Sequence, residues 1–212
     1  MNTYLRCNNS KNLIVFFCGW AMDEKPFMPL KSEKYDILFV FDYADLELDF
    51  DFSKYEKKIL IAFSYGVFVA AIAKLPEFDL KIAVNGTLKP IDSKFGISPK
   101  IFDLTLCNMS DESLLKFYSR MFDNNVESEM FNQNLPVRAV DSCLKELEAI
   151  KNHYFNTADI DFEYDKTIIS SNDKIIPTKN QLAFWEGKNL KEFNAGHFIF
   201  YKFKNFDEIM EL

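Results

Sequence analysis

The hydrophobic residues of this chain fall into short runs that are separated by polar segments. Seven runs have the length and the β-branched or aromatic content of buried strands, at residues 4–7, 13–17, 37–41, 59–62, 81–84, 167–170 and 189–193. Most of them are separated by segments long enough to cross over and return in the same direction. We therefore predict an α/β protein with a mainly parallel sheet of about seven strands, whose first strand can be antiparallel.

The segments between these strands are unequal in length. Residues 42–58 leave room for one short helix at most, so we expect loops to replace some of the helices that normally flank such a sheet. Residues 99–157 are too many for a single crossover, and helical patterns with plausible caps occur at 110–118, 125–132 and 135–150. We predict a core of residues 1–98 and 158–212, with residues 99–157 inserted over the sheet edge as a helical lid.

A candidate nucleophile lies between the fourth strand run and an apolar, alanine-rich run that ends at Pro76. Residues 62–66 read Ala-Phe-Ser-Tyr-Gly, which places Ser64 in a strand–turn–helix context. In a nucleophile elbow the serine occupies a strained turn, and the residues two positions away must be small, as Ala62 and Gly66 are. An ordinary strand-to-helix turn could carry the same residues, so the pattern needs a matching base and acid.

The chain offers two histidines as the base. His153 lies near the C-terminal end of a charged helical pattern, where it complements the helix dipole, and we interpret it as a surface residue. His197 follows a short strand run and the small residues Ala195 and Gly196, which leave room for its ring above the sheet. A structural histidine in an aromatic-rich segment is the alternative, but we expect His197 to be the base.

The candidate acid is Asp173, which follows the sixth strand run and precedes a turn closed by Pro177. In open α/β sheets, active sites collect at the carboxyl ends of the strands. A plain turn residue is the alternative interpretation of Asp173 alone. However, the order Ser64, Asp173, His197 is the order of the triad in α/β-hydrolases. We therefore predict an α/β-hydrolase fold in which Asp173 orients His197 and His197 activates Ser64.

An oxyanion hole in this fold needs two backbone N–H groups. One belongs to the residue after the nucleophile, here Tyr65, and the other to a loop after an earlier strand. Gly19 follows the second strand run and lets the backbone approach a ligand, so the Trp20 N–H is the second candidate. Cys18 stands where many such enzymes have histidine, and we interpret it as a small buried residue, the alternative being a second nucleophile.

Composition and charge argue against some classes of function. The chain has 212 residues, of which 48% are hydrophobic, so it can bury a sizeable core. A net charge of −7 argues against nucleic acid as the main partner, and no apolar run approaches the roughly 20 residues of a membrane span. Four cysteines without paired spacing, and no signal-peptide pattern, favour a cytoplasmic protein. We expect a monomer that needs no metal and no cofactor.

Several of these segments together have a specific resemblance. Residues 16–23, 62–67, 84–87 with 90–91, and 194–197 resemble the BioG family, the pimeloyl-[acyl-carrier protein] methyl ester esterases of biotin synthesis. The resemblance implies a carboxylic-ester hydrolase whose substrate is a pimeloyl methyl ester carried by acyl-carrier protein. The alternatives are another small ester or thioester hydrolase with the same triad, or a hydrolase-like protein that binds a partner without chemistry.

An acyl-carrier partner would need a basic docking surface, because carrier proteins are typically acidic and this chain is itself acidic. Within the predicted lid, Arg138 and Lys145 are seven residues apart and Lys116 and Arg120 are four apart, so each pair can share a helix face. We predict that Arg138 and Lys145, together with Trp20, contact the substrate. Ordinary solvated surface charge is the alternative for each basic pair.

Overall fold

A single seven-stranded sheet organises the computed structural model, which describes residues 1–212. Its strands are β1 (Asn2–Arg6), β2 (Asn12–Phe17), β3 (Asp36–Phe41), β4 (Lys57–Phe63), β5 (Leu80–Val84), β6 (Lys166–Ser170) and β7 (Leu190–Phe193). They lie in the order β1-β3-β2-β4-β5-β6-β7. β1 pairs antiparallel with β3 and every other pair is parallel, so the predicted sheet is confirmed.

The parallel register brings four strand ends to the same edge of the sheet. Phe17 at the end of β2 pairs with β4 one residue before its end, and Val84 at the end of β5 pairs with both Phe63 and Ile168. The segments that follow these strands begin at residues 18, 64, 85 and 171. The central strands β2 and β4 are buried on both faces, which agrees with their continuous apolar runs. One edge therefore collects the loops in which the sequence places its candidate chemistry.

Four of the seven α-helices lie in one insertion, between β5 and β6. The seven helices are α1 (Tyr65–Ile72), α2 (Pro99–Cys107), α3 (Asp111–Ser119), α4 (Asn125–Asn132), α5 (Val140–Asn156), α6 (Thr178–Phe184) and α7 (Phe206–Glu211), and short 3₁₀ helices lie at Lys25–Phe27 and Phe200–Lys202. Helices α2 to α5 all lie between β5 and β6. The crossover from β3 to β4 contains no helix, so loops replace flanking helices as predicted. None of the helices combines the length and the apolar character that crossing a membrane requires.

A cluster of aromatic rings packs against Phe16 of the central strand β2. The Phe16 ring on β2 lies 4.6 Å from Phe27, 5.2 Å from Phe200 and 5.3 Å from Phe206, measured between ring centroids. All four side chains are fully buried. Burying one such ring contributes about 1.5–3 kcal/mol, so this cluster fixes the loop before β3 and the segment after β7 on the sheet. That C-terminal segment also contains His197.

The insertion between β5 and β6 differs from the predicted helices at two places. Helix α4 has the predicted bounds and α3 has the predicted Ser110 cap. Helix α5 starts at Val140, five residues later than predicted, and ends at Asn156, six residues later than predicted. Pro136 disfavours a helical conformation at Leu135, which excludes the predicted start. Helix α2 was not predicted individually, although Ser98 caps it and Pro99 occupies its first turn, which are ordinary helix-start signals.

Candidate active site

Ser64 occupies the turn between β4 and α1 in a strained backbone conformation. Its φ is 56° and its ψ is −124°, a combination that non-glycine residues rarely adopt. The Ser64 N–H donates to Val84 O at 2.9 Å, which ties the turn to the end of β5. A Cβ at Gly66 would lie 2.6 Å from the carbonyl oxygen of Cys18, so only glycine fits there. The turn therefore has the geometry of a nucleophile elbow.

The structure brings Ser64, His197 and Asp173 together in one hydrogen-bonded row. His197 Nε2 lies 3.0 Å from Ser64 Oγ, and His197 Nδ1 lies 2.7 Å from Asp173 Oδ2. All three residues are buried. The other carboxylate oxygen, Asp173 Oδ1, accepts the backbone N–H groups of Ile175 at 2.8 Å and Ile176 at 2.9 Å. These two donors fix the carboxylate so that Oδ2 faces the imidazole, which selects the tautomer that leaves Nε2 free to accept a proton.

Two further side chains hold this row, and neither was predicted from the sequence. Gln181 on α6 donates its amide to Asp173 Oδ2 at 2.8 Å and to Ile176 O at 2.8 Å. Asn85, directly after β5, donates to His197 O at 2.6 Å and to Ser170 Oγ at 2.8 Å, and its φ is 47°. An asparagine before glycine at a strand end is a signal for such a left-handed turn residue. Nothing in the local sequence signals the contact made by Gln181.

The predicted oxyanion loop lies next to the nucleophile. A Cβ at Gly19 would lie 3.3 Å from Ser64 Cβ and 3.0 Å from the Phe63 ring, so the loop backbone passes close to the elbow. The Met22 N–H donates to Gly19 O at 3.2 Å, which closes a turn, while the Trp20 N–H has no acceptor within the protein. A backbone donor without an internal partner beside a nucleophile suits a developing oxyanion.

A cavity opens at Ser64 between the sheet edge and the insertion. Its lining is mostly apolar and comes from both sides: Trp20, Ser64, Tyr65, Ile97, Ile101, Phe102, Thr105, Phe117, Arg120, Leu147, Lys174 and Ile175. Burial raises the pKa of the Tyr65 phenol well above its ordinary value, so this group stays neutral. A second groove between α2 and α3 continues from the cavity, because both share Trp20, Arg120 and Phe117. The cavity and the groove can together hold an apolar chain. One end of such a chain would lie at Ser64, and the other would pass the basic side chains of Arg120 and Lys174.

The predicted docking surface of Arg138 and Lys145 is wrong for Arg138, whose side chain is buried, and stays a prediction for Lys145. Arg138 precedes α5 and its side chain is 5% exposed, with Nη1 at 2.5 Å from Glu146 Oε2 and Nη2 at 2.9 Å from Asp42 Oδ1. Burial lowers the pKa of the Arg138 guanidinium, but the charges of Glu146 and Asp42 outweigh it and raise the pKa. Lys145 is exposed on α5 and has no such partner. Arg138 is therefore committed to a buried ion pair between the insertion and the core.

Two other candidate residues, Cys18 and His153, take no part in the hydrogen-bonded row of Ser64, His197 and Asp173. Cys18 is fully buried, and burial raises the pKa of its thiol well above the ordinary value, so it is a packed residue in its thiol form. His153 lies in the last turn of α5 and is half-buried, not exposed as predicted, and it contacts none of the triad residues. No group of three or more His, Cys, Asp or Glu side chains is arranged to hold a metal ion.

Comparison with known families and solved structures agrees with the α/β-hydrolase fold described above. The family model described as "Pimeloyl-ACP methyl esterase BioG" matches residues 1–209. A crystal structure of BioG from Haemophilus influenzae superposes with a TM-score of 0.91 at 32% identity, covering 98% of this chain and 99% of that one. A lipase-esterase related protein from Clostridium acetobutylicum has a TM-score of 0.65 at 19% identity, covering 99% and 98%, which shows the shared α/β-hydrolase fold alone.

One relative is much longer than this chain. A Bacteroides fragilis protein named malonyl-[acyl-carrier protein] O-methyltransferase is 36% identical over 195 residues. The match covers 89% of this chain but 40% of that protein, so the chain spans less than half of its length.

Proposed function

Because this chain belongs to the BioG family of pimeloyl-ACP methyl esterases, we propose that it removes the methyl group from pimeloyl-[acyl-carrier protein] methyl ester in biotin synthesis. The observation that carries this proposal is the row from Asp173 through His197 to Ser64, with the serine at a strained elbow that faces an apolar cavity. This arrangement is typical of serine hydrolases, and it requires no metal or cofactor for ester cleavage.

The proposed reaction runs in two halves. In the first, Ser64 Oγ attacks the methyl ester carbonyl while His197 Nε2 takes the hydroxyl proton, and the Trp20 and Tyr65 N–H groups stabilise the oxyanion. Collapse of this intermediate breaks the bond to the methoxy oxygen, and methanol leaves with the proton from His197. In the second half, His197 deprotonates a water that attacks the acyl-enzyme, and the free carboxylate leaves as Ser64 regains its proton.

The lining of the cavity supports an apolar acyl chain that enters with its ester end first. Ile101, Phe102 and Phe117 surround the space beside Ser64, and the helices that carry them belong to the insertion of residues 99–157. We propose that this insertion is a lid that shields the acyl-enzyme from bulk water. The free carboxylate formed by hydrolysis is poorly solvated in such a lining, so hydrolysis favours release of the product.

The basic side chains that remain near the cavity support an acidic carrier as the partner. Arg120 and Lys174 are exposed and line the cavity, and Lys116 lines the adjoining groove. We propose that these residues, instead of Arg138, meet the carrier and its phosphate-linked arm. All four cysteines are unpaired, which supports a reducing compartment such as the cytoplasm.

The deciding experiment offers the purified protein pimeloyl-[acyl-carrier protein] methyl ester and follows the carrier by mass spectrometry. Replacement of the methyl group by hydrogen, with the thioester intact, is the expected result, and Ser64→Ala should abolish it. Cleavage of the thioester would indicate a thioesterase instead. Absence of any hydrolysis, together with no labelling of Ser64 by an organophosphonate, would indicate a binding protein without chemistry.

Carrier docking is tested with charge reversals at the cavity mouth. Arg120→Glu and Lys174→Glu should raise KM for the carrier-linked ester and leave KM for a small free ester unchanged. Lys57→Glu is the matched control, because Lys57 is exposed at the start of β4, the end of the strand away from Ser64. If both substrates respond alike, these residues shape the cavity and do not read the carrier.

A further inference from the structure

The turn that carries the Trp20 N–H contains a residue in a conformation it disfavours. Residues 18–23, which we call the oxyanion loop, include Ala21 with a φ of 62°. The Met22 N–H closes a turn onto Gly19 O, and positive φ at the third position of such a turn favours glycine. Alanine holds this conformation only when surrounding contacts impose it. The contacts of Ala21 therefore decide the shape of the loop beside Ser64.

Both peptide groups that flank Ala21 are held by side chains of the insertion. Glu146 Oε2 on α5 accepts the Ala21 N–H at 3.1 Å, and the Tyr118 hydroxyl on α3 donates to Ala21 O at 2.8 Å. The Trp20 indole donates to Cys143 O on α5 at 2.7 Å. The Ala21 N–H belongs to the central peptide of the turn, so Glu146 holds the group that would have to flip if alanine relaxed to a negative φ.

Glu146 is placed to do this by its own buried partners. Its side chain is 0% exposed, and it pairs with Arg138 through the same Oε2 that meets Ala21. Its other oxygen, Oε1, accepts the Tyr43 N–H at 3.2 Å, after the end of β3. A buried carboxylate with three donors stays in one orientation. It therefore connects the loops after β2 and β3 to the insertion.

We propose that Glu146 is a positioning residue of the oxyanion hole. By accepting the Ala21 N–H it holds the turn of residues 19–22, and that turn presents the Trp20 N–H to Ser64. This inference rests on the proposed esterase function, because it assigns Trp20 to the transition state. It gives the insertion a second role besides covering the cavity. Since Glu146 touches neither the substrate nor the triad, its loss should affect the transition state more than substrate binding.

The test compares Glu146→Leu with Asp42→Asn. A leucine can accept neither the Ala21 nor the Tyr43 N–H. Asp42 pairs with the same Arg138 and touches no residue of the oxyanion loop, so its variant is the control for the ion pair. The assay measures kcat and KM for a short p-nitrophenyl ester, and the inhibition constant of a trifluoromethyl ketone that binds as a tetrahedral oxyanion. Misplacing one oxyanion donor should cost about tenfold to a hundredfold in kcat.

The expected result is a loss of kcat in Glu146→Leu with KM nearly unchanged, a matching rise in the inhibition constant, and near-normal kcat in Asp42→Asn. A folded Glu146→Leu with wild-type kcat, or equal losses in both variants, would overturn the inference. If Glu146→Leu does not fold by circular dichroism, Glu146→Asp decides, since it keeps a charge for Arg138 but its carboxylate is one methylene too short to reach the Ala21 N–H: the same kcat-selective loss supports the inference, and wild-type kcat overturns it. A wild-type protein that cleaves no ester refutes the proposed function itself, and with it this inference.

Discussion

Replacing Asp173 with asparagine should remove most of the activity while leaving the fold intact. In the structure this carboxylate meets four donors: two backbone N–H groups at Oδ1, and the His197 ring and the Gln181 amide at Oδ2. The backbone donors of Ile175 and Ile176 cannot move, so the amide oxygen of asparagine must take the place of Oδ1. The amide NH₂ then faces His197 Nδ1 and donates to it.

That donation selects the wrong imidazole tautomer. With Nδ1 accepting, His197 carries its proton on Nε2, which points at Ser64 Oγ and can no longer take the serine proton. Amide substitution of a triad carboxylate lowers kcat by about 10⁴-fold, which is about 5 kcal/mol in the activation free energy. Stability should change less, because both backbone hydrogen bonds survive and the hydrogen bond that is lost is the one from the Gln181 amide, which still donates to Ile176 O.

The assay is kcat for a short p-nitrophenyl ester at neutral pH, together with the thermal unfolding midpoint. Asp161→Asn is the matched control, since Asp161 is an exposed aspartate before β6 that makes no hydrogen bond, and it should retain wild-type kcat. A folded Asp173→Asn with kcat within about tenfold of wild type would refute the tautomer argument and the assignment of Asp173 as the acid.

Three further predictions test other parts of the structure. Ser64→Ala and His197→Ala should each reduce ester hydrolysis to background, and the double variant should lose no more than either alone, which steady-state rates will show. Arg138→Ala should destabilise the protein by about 3–5 kcal/mol in urea unfolding, because it leaves Glu146 buried without its partner; a loss below about 1 kcal/mol would contradict this. Gly66→Ala should give little folded protein or an inactive one, since its Cβ would meet a backbone oxygen at 2.6 Å, and normal yield and activity would show that the elbow can shift.

Part of the site follows from signals that are local in the sequence. Ser64 stands between an apolar run and a helical run, with small residues at the positions where the turn is tight. Asp173 and His197 each follow a strand run, and the parallel register then brings these three ends to one edge. Because strand runs and turn residues act over a few positions, the seven strands and the three-residue row could be predicted without knowing the order of the strands.

The supporting contacts depend on segments that are distant in the chain. Glu146 meets Ala21 across 125 positions and Asn85 meets His197 across 112, and no spacing rule relates such residues. Helix periodicity placed Arg138 and Lys145 on one face, but it could not show that Arg138 precedes α5 and points to Glu146 and the core.

The sequence by itself therefore determined the sheet, the elbow and the order of nucleophile, acid and base, because hydrophobic runs and turn chemistry are local properties. Only the tertiary structure decided which charges are buried in pairs and which face the cavity, because burial depends on what the other elements place opposite each side chain. It also decided that the insertion holds the loop at Ala21, since that contact exists only once α5 packs against the ends of β2 and β3.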